Sequence, residues 1–165
     1  MNLVEVLKRV DFKNILKVMC IGLSRPHLVL PTVKATKDCI AISTENYGKL
    51  HHKNGPANAF RHAFWNYLIA KRCFNWHSKE ETVLAWAKKV TDWHEDSFPN
   101  QPLPRAMDLH NNEVGRLVFT QHLLKSEQEI VALMKEMTSE SIKIDTDTDL
   151  SEYKNRMVHI LNNEG

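Results

Sequence analysis

Three short stretches place histidine, acid, amide and arginine where an apolar helix face would otherwise run: Asn58 to Asn66, Thr91 to Asp96, and Asp108 to Arg116. His62, His94, His110 and Asp108 have the ligand types that hold zinc, manganese or iron. Such an ion lowers the pKa of bound water and polarises a phosphoryl or carbonyl oxygen. Arg61 would then clamp an anionic group, Glu95 would serve as acid-base group, and Asn111 and Asn112 would orient the substrate. The expectation is a metal-dependent hydrolase acting on a phosphoester or a lipid-like anionic substrate. The spacing is not the His-Glu-x-x-His of zincins, and a histidine with a nearby carboxylate can also act as general base without metal. The alternative is a non-catalytic binding module whose buried polar cluster fixes the packing of three helices. In that reading His94-Glu95 pairs with Arg61 structurally and Asp108 is a helix N-cap. No organic cofactor is indicated, because neither a Walker loop nor Gly-x-Gly-x-x-Gly is present.

The elements that must position these residues are helices. Residues i, i+4 and i+7 share a helix face, so Asn58, His62 and Trp65 fall together with Arg61 and Asn66 alongside. In the second stretch the apolar stripe Val83, Ala87, Val90 leads to His94. In the third, Val114, Leu117 and Val118 lead back to His110 and Asn111. Helices are expected over about Ala57–Phe74, from a Ser78 capping box to Ser97, from Asp108 to Leu124, and from a Ser126-x-x-Glu129 capping box to Met137. A further helix runs from Thr32 to Ser43 after a turn between Pro26 and Pro31. Leu3 to Leu23 reads as one or two amphipathic helices broken at Asp11. Residues 46–56 are a polar loop with His51 and His52 solvated, residues 138–150 an acidic mobile connection, and Ser151 caps a short last helix. Trp65, Trp76, Trp86 and Trp93 belong to the core. No hairpin signal appears, so the chain is expected to be all-α, a single compact domain (1–165) of six to eight helices.

With 42% hydrophobic and 25% charged residues, the 165-residue chain has a globular composition. Residues 1–55 hold nine Lys/Arg against four Asp/Glu, whereas residues 126–165 hold four against nine. The basic amphipathic segment, residues 1–25, therefore suggests peripheral membrane contact through residues 1–23, although it is too charged to span a bilayer. A nucleic-acid partner is disfavoured by the modest basic excess. Cys20, Cys39 and Cys73 match neither a disulfide framework nor a metal knuckle, and Cys73 lies too far along its helix from His62 to act as nucleophile. They suit a reducing compartment, and a cytoplasmic, membrane-peripheral location is expected. Oligomeric state is not readable.

The same residues resemble an uncharacterised bacterial family of all-helical domains with segments Ala-Phe-Arg-His-Ala-x-Trp-Asn, His-Glu and Met-Asp-Leu-His-Asn-Asn-x-x-Gly-Arg. Here these are Ala59 to Asn66, His94-Glu95 and Met107 to Arg116. The resemblance covers roughly residues 50–120. It implies a helical fold with a polar site, some members resembling secreted effector modules, and supplies no mechanism. The family carries aspartate where this chain has Asn58, so no acidic role is implied there.

Overall fold

The structure is a computed structural model that describes residues 11–76, 79–98 and 100–161. Among these it is all-α: α1 (Phe12–Ser24), α2 (Pro26–Tyr47), α3 (Pro56–Phe74), α4 (Glu80–Ser97), α5 (Pro102–Gln121) and α6 (Glu127–Ser139). Proline opens α2, α3 and α5 within the first turn, where its missing N–H breaks no helical bond. Two of these starts differ from expectation. Helix α2 begins at Pro26 and runs through Pro31, because Leu28, Pro31 and Thr32 all bury their side chains and outweigh one lost bond. Helix α5 begins at Pro102 rather than Asp108, so Asp108 lies two turns inside the helix and cannot be its cap. The Ser126–Glu129 capping box is present as expected. Asp11 occupies the N-cap of α1 without a side-chain bond. The expected helix over residues 3–10 and the Ser78 cap lie outside the described residues.

Helix α3 is the centre of the molecule, flanked by α2, α4, α5 and α6. Its apolar residues Phe60, Phe64, Tyr67, Leu68 and Ile69 are fully buried. Phe60, Phe64 and Tyr67 form a run of neighbouring rings that continues to Phe119 of α5. Helices α3 and α5 lie side by side in the same direction, and Gly115 makes their approach possible. A Cβ at Gly115 would lie 1.9 Å from the carbonyl oxygen of Ala63.

The loop after α2 is a 3-10 helix, Gly48–His52, with His51 buried rather than solvated. Residues 138–150 are also more structured than expected. Ile142–Lys143 (β1) pairs in parallel with Val158–His159 (β2), and Asp145 accepts bonds from Thr148 Oγ1 and the Asp147 N–H. A 3-10 turn, Leu150–Tyr153, replaces the expected last helix, and Asp149 rather than Ser151 caps it. The amide of Asn111 grips β2 like a neighbouring strand, donating to the Val158 carbonyl at 2.9 Å and accepting from its N–H at 3.0 Å. The N–H groups of Ile160 and Leu161 both donate to the Asn54 carbonyl. The end of this segment thus ties α5 to the approach of α3.

Candidate functional site

Along α3, Asn58, His62 and Asn66 follow one another at one-turn intervals, and along α5 Asp108, Asn112 and Arg116 do the same. Running in the same direction, the two rows form a polar seam, closed by Thr91 and Glu95 of α4. All eight are buried. A buried polar group must find a partner or forfeit its hydration, so the bonds in the seam can be followed one by one. Arg116 Nη1 donates to Asn66 Oδ1 at 2.8 Å, and Thr91 Oγ1 donates to the same oxygen at 3.2 Å. Asn66 Nδ2 donates to Asn112 Oδ1 at 2.7 Å, and Asn112 Nδ2 donates to Glu95 Oε1 at 3.4 Å. Arg116 also pairs with Glu113 at the surface.

His62 is the crossing point. Its Nε2 lies 2.6 Å from Arg61 Nη2, and a guanidinium can only donate, so Nε2 carries the lone pair and Nδ1 the proton. The Nδ1 proton faces Asn112 Oδ1 at 3.3 Å and Glu95 Oε1 at 3.6 Å. Asp108 Oδ1 lies 3.4 Å from the same Nε2, whose one lone pair Arg61 already occupies. That oxygen has no hydrogen-bond partner among the described residues, and neither has Asn58 Oδ1. A buried carboxylate oxygen without a donor calls for a proton or a cation. Burial raises the Asp108 carboxyl to about 7, with Arg61 and a side-chain bond from Asn100 opposing, and burial plus the charge of Asp108 raises Glu95 to about 7. Burial, then Arg61 and His94, hold His62 well below its ordinary value, so it is neutral and able to ligate. Ligand atoms of His62, Glu95 and Asp108 all lie within 4.8 Å of one another. One imidazole and two carboxylates suit a divalent first-row ion, and the orphaned Asp108 oxygen fits that requirement.

Residues 19–142 match the model of a family described as a domain of unknown function, DUF6973. The chain belongs to this family. No curated protein and no solved structure is matched. The DUF6973 span contains every residue of the seam, whereas the first seven residues of α1, Phe12 to Val18, and all of β2 lie outside it.

Within this DUF6973 domain the expected site residues separate into two sets. Arg61, His62, Glu95, Asp108 and Asn112 meet. His94 lies beside them rather than among them: its ring packs edge-on against Trp65 and tilted against Phe98, and burial followed by Arg61 lowers it to about 4. His110 points elsewhere, its Nε2 2.9 Å from the Arg156 carbonyl, and Asn111 holds β2. The expected meeting of three imidazoles therefore does not occur. The reason is helical register: the buried row of α4 steps by four through Val83, Ala87, Thr91 and Glu95, not through Val90 to His94. On α5 the inward row is Asp108, Asn112, Gly115 and Arg116. Asn66, Thr91 and Arg116 complete the seam without having been candidates. Their signal was present as polar residues exactly one turn beyond His62, before Glu95 and after Asn112. His51, expected in solvent, is buried with its ring centroid 3.9 Å from that of His52, and its Nε2 lies 3.1 Å from Thr44 Oγ1. Asp92 pairs with Lys88 on the outside of α4. Trp65 and Trp86 donate to Thr36 and Thr32, and Trp76 is exposed.

Proposed function

We propose that this domain is a hydrolase in which His62, Asp108 and Glu95 hold a divalent zinc, manganese or iron ion and Arg61 receives the anionic part of a phosphoester. The observation that carries the reading is the buried Asp108 oxygen, which lies beside His62 Nε2 and has no hydrogen-bond partner among the described residues. The bound cation would lower the pKa of a water. Glu95, loosening its hold on the ion, would take the water's proton as the water oxygen bonds to phosphorus, and would return it to the leaving alkoxide as the phosphorus–oxygen bond breaks. Burial holds both carboxyls at about 7 in the metal-free site, and a bound cation would lower them. Arg61 would release His62 Nε2 to the cation and turn its donors to the phosphoryl oxygens. All three cysteines are free thiols, which fits a reducing, cytoplasmic setting.

The test combines metal analysis with hydrolysis of p-nitrophenyl phosphate and bis-p-nitrophenyl phosphate. Stoichiometric metal and turnover, both lost in Asp108→Asn, are expected. A second reading has its own support. Arg61 satisfies His62, and the bonds run without a gap from Arg116 through Asn66 and Asn112 to Glu95, as a non-catalytic interaction module would need. Metal-free, inactive protein that loses stability in His62→Ala would favour that module.

A further inference from the structure

Helix α1 is apolar on the side that faces away from the protein. Its inner side is fixed: Ile21 is buried, the Asn14 carbonyl accepts a 2.9 Å bond from Trp93 Nε1, and Lys17 pairs with Asp96. On the outer side, Phe12 (71% exposed), Leu16 (46%), Met19 (55%) and Leu23 (76%) recur at spacings of four, three and four and form one stripe. Single exposed apolar residues are ordinary, but four in register on one helix are not. Apart from Asp11, which adjoins Phe12 at the N-cap, the charge around the stripe has one sign. Between Phe12 and Lys37 the chain carries Lys13, Lys17, Arg25, Lys34 and Lys37 and no Asp or Glu.

We infer that the outer face of α1 docks on the surface of an anionic lipid bilayer, with Phe12, Leu16, Met19 and Leu23 entering the headgroup boundary and Lys13 and Arg25 contacting lipid phosphates. An apolar stripe bordered by lysine and arginine, on a helix lying flat, is the arrangement that interfacial binding uses. No helix among the described residues is long and apolar enough to cross a membrane, so the contact is superficial. The inference is independent of the hydrolase reading, although the two are close in space. Lys17 of α1 binds Asp96, which also binds Arg105 of α5, and Asp96 adjoins Glu95.

The experiment is flotation of the full chain with vesicles of phosphatidylcholine alone and with phosphatidylglycerol added. Binding to the mixed vesicles is expected, and on pure phosphatidylcholine it should be weaker by about tenfold or more, since each basic side chain near the surface contributes roughly a fivefold factor. Phe12→Gln with Leu23→Gln should remove binding while leaving the charge unchanged. Lys13→Gln with Arg25→Gln should weaken it only on anionic vesicles, and raised salt should do the same. All four positions are exposed, so unchanged melting curves are expected alongside. Failure of the natural sequence to bind either vesicle overturns the inference. That result is expected if residues 1–10 or a second copy cover the stripe, and sedimentation velocity tells those two apart.

Discussion

The two sides of α3 are equally dry and chemically opposite. On one side Phe60, Phe64 and Tyr67 meet Phe119 and the rest of the apolar core; on the other Asn58, His62 and Asn66 meet Asp108, Asn112, Glu95 and Arg116. Packing alone explains the first side, because apolar burial stabilises whatever the ring orientation. It does not explain the second. Buried ionisable groups are often neutral or unfavourable compared with apolar residues of the same volume. Among the described residues Asp108 Oδ1 and Asn58 Oδ1 have no partner, and on the apolar side neither has Tyr67 Oη, but only the Asp108 carboxyl calls for a proton or a cation.

The comparison can be broken at several points. Phe64→Ala, on the apolar side, should lower unfolding free energy in urea by about 3–5 kcal/mol. A smaller loss would mean that this side is loosely packed. Gly115→Ala sets a methyl group against the Ala63 backbone and should cost about 3 kcal/mol by overpacking. It should also weaken cation binding by calorimetry, because α3 and α5 carry opposite halves of the site. Asn66→Ala strands Arg116, Thr91 and Asn112, for an expected loss of about 2 kcal/mol. Asp108→Asn should behave differently, removing metal and turnover while leaving stability at pH 8 equal or about 1 kcal/mol higher. Destabilisation as large as that of Asn66→Ala would place Asp108 among the structural residues and erase the distinction.

The smallest effect is the dependence on pH. Glu95 and Asp108, raised to about 7, hold their protons more tightly folded than unfolded, so their contribution falls as pH rises from the ordinary carboxylate range through about 7. His51 and His94, lowered to about 4, and His62, held well below its ordinary value, act in the opposite sense. Below 6.5 the unfolded chain takes up their protons first and the fold loses stability. Melting temperature should therefore peak near pH 6.5 and decline slightly above it, and an added divalent ion should abolish that decline. A decline that persists with metal would argue that the ion does not sit between the two carboxylates.

Much of this was legible in the sequence. The all-helical fold, the Ser126 cap, the extent of α3 and five residues of the meeting point follow from apolar periodicity and turn residues. What stayed hidden is angular. Periods of three and four both fit a short polar stretch, so His94 and Glu95 compete for the inward position, and only the neighbouring helix decides between them. Steps of three or four back from Val114, Leu117 and Val118 land on His110 and Asn111 as readily as on the row that faces the site. A partner for them lay in residues 156–158, and a two-residue strand leaves no periodic trace.

The grip of Asn111 on Val158, together with Asn54 receiving Ile160 and Leu161, has a consequence for synthesis. Every residue of the seam has been made by the time Arg116 is added, yet the backbone that fastens α5 beside the entrance to α3 arrives some forty residues later. During translation the chemistry-bearing helices must therefore wait, with their polar faces still wet, for a clasp that emerges after them.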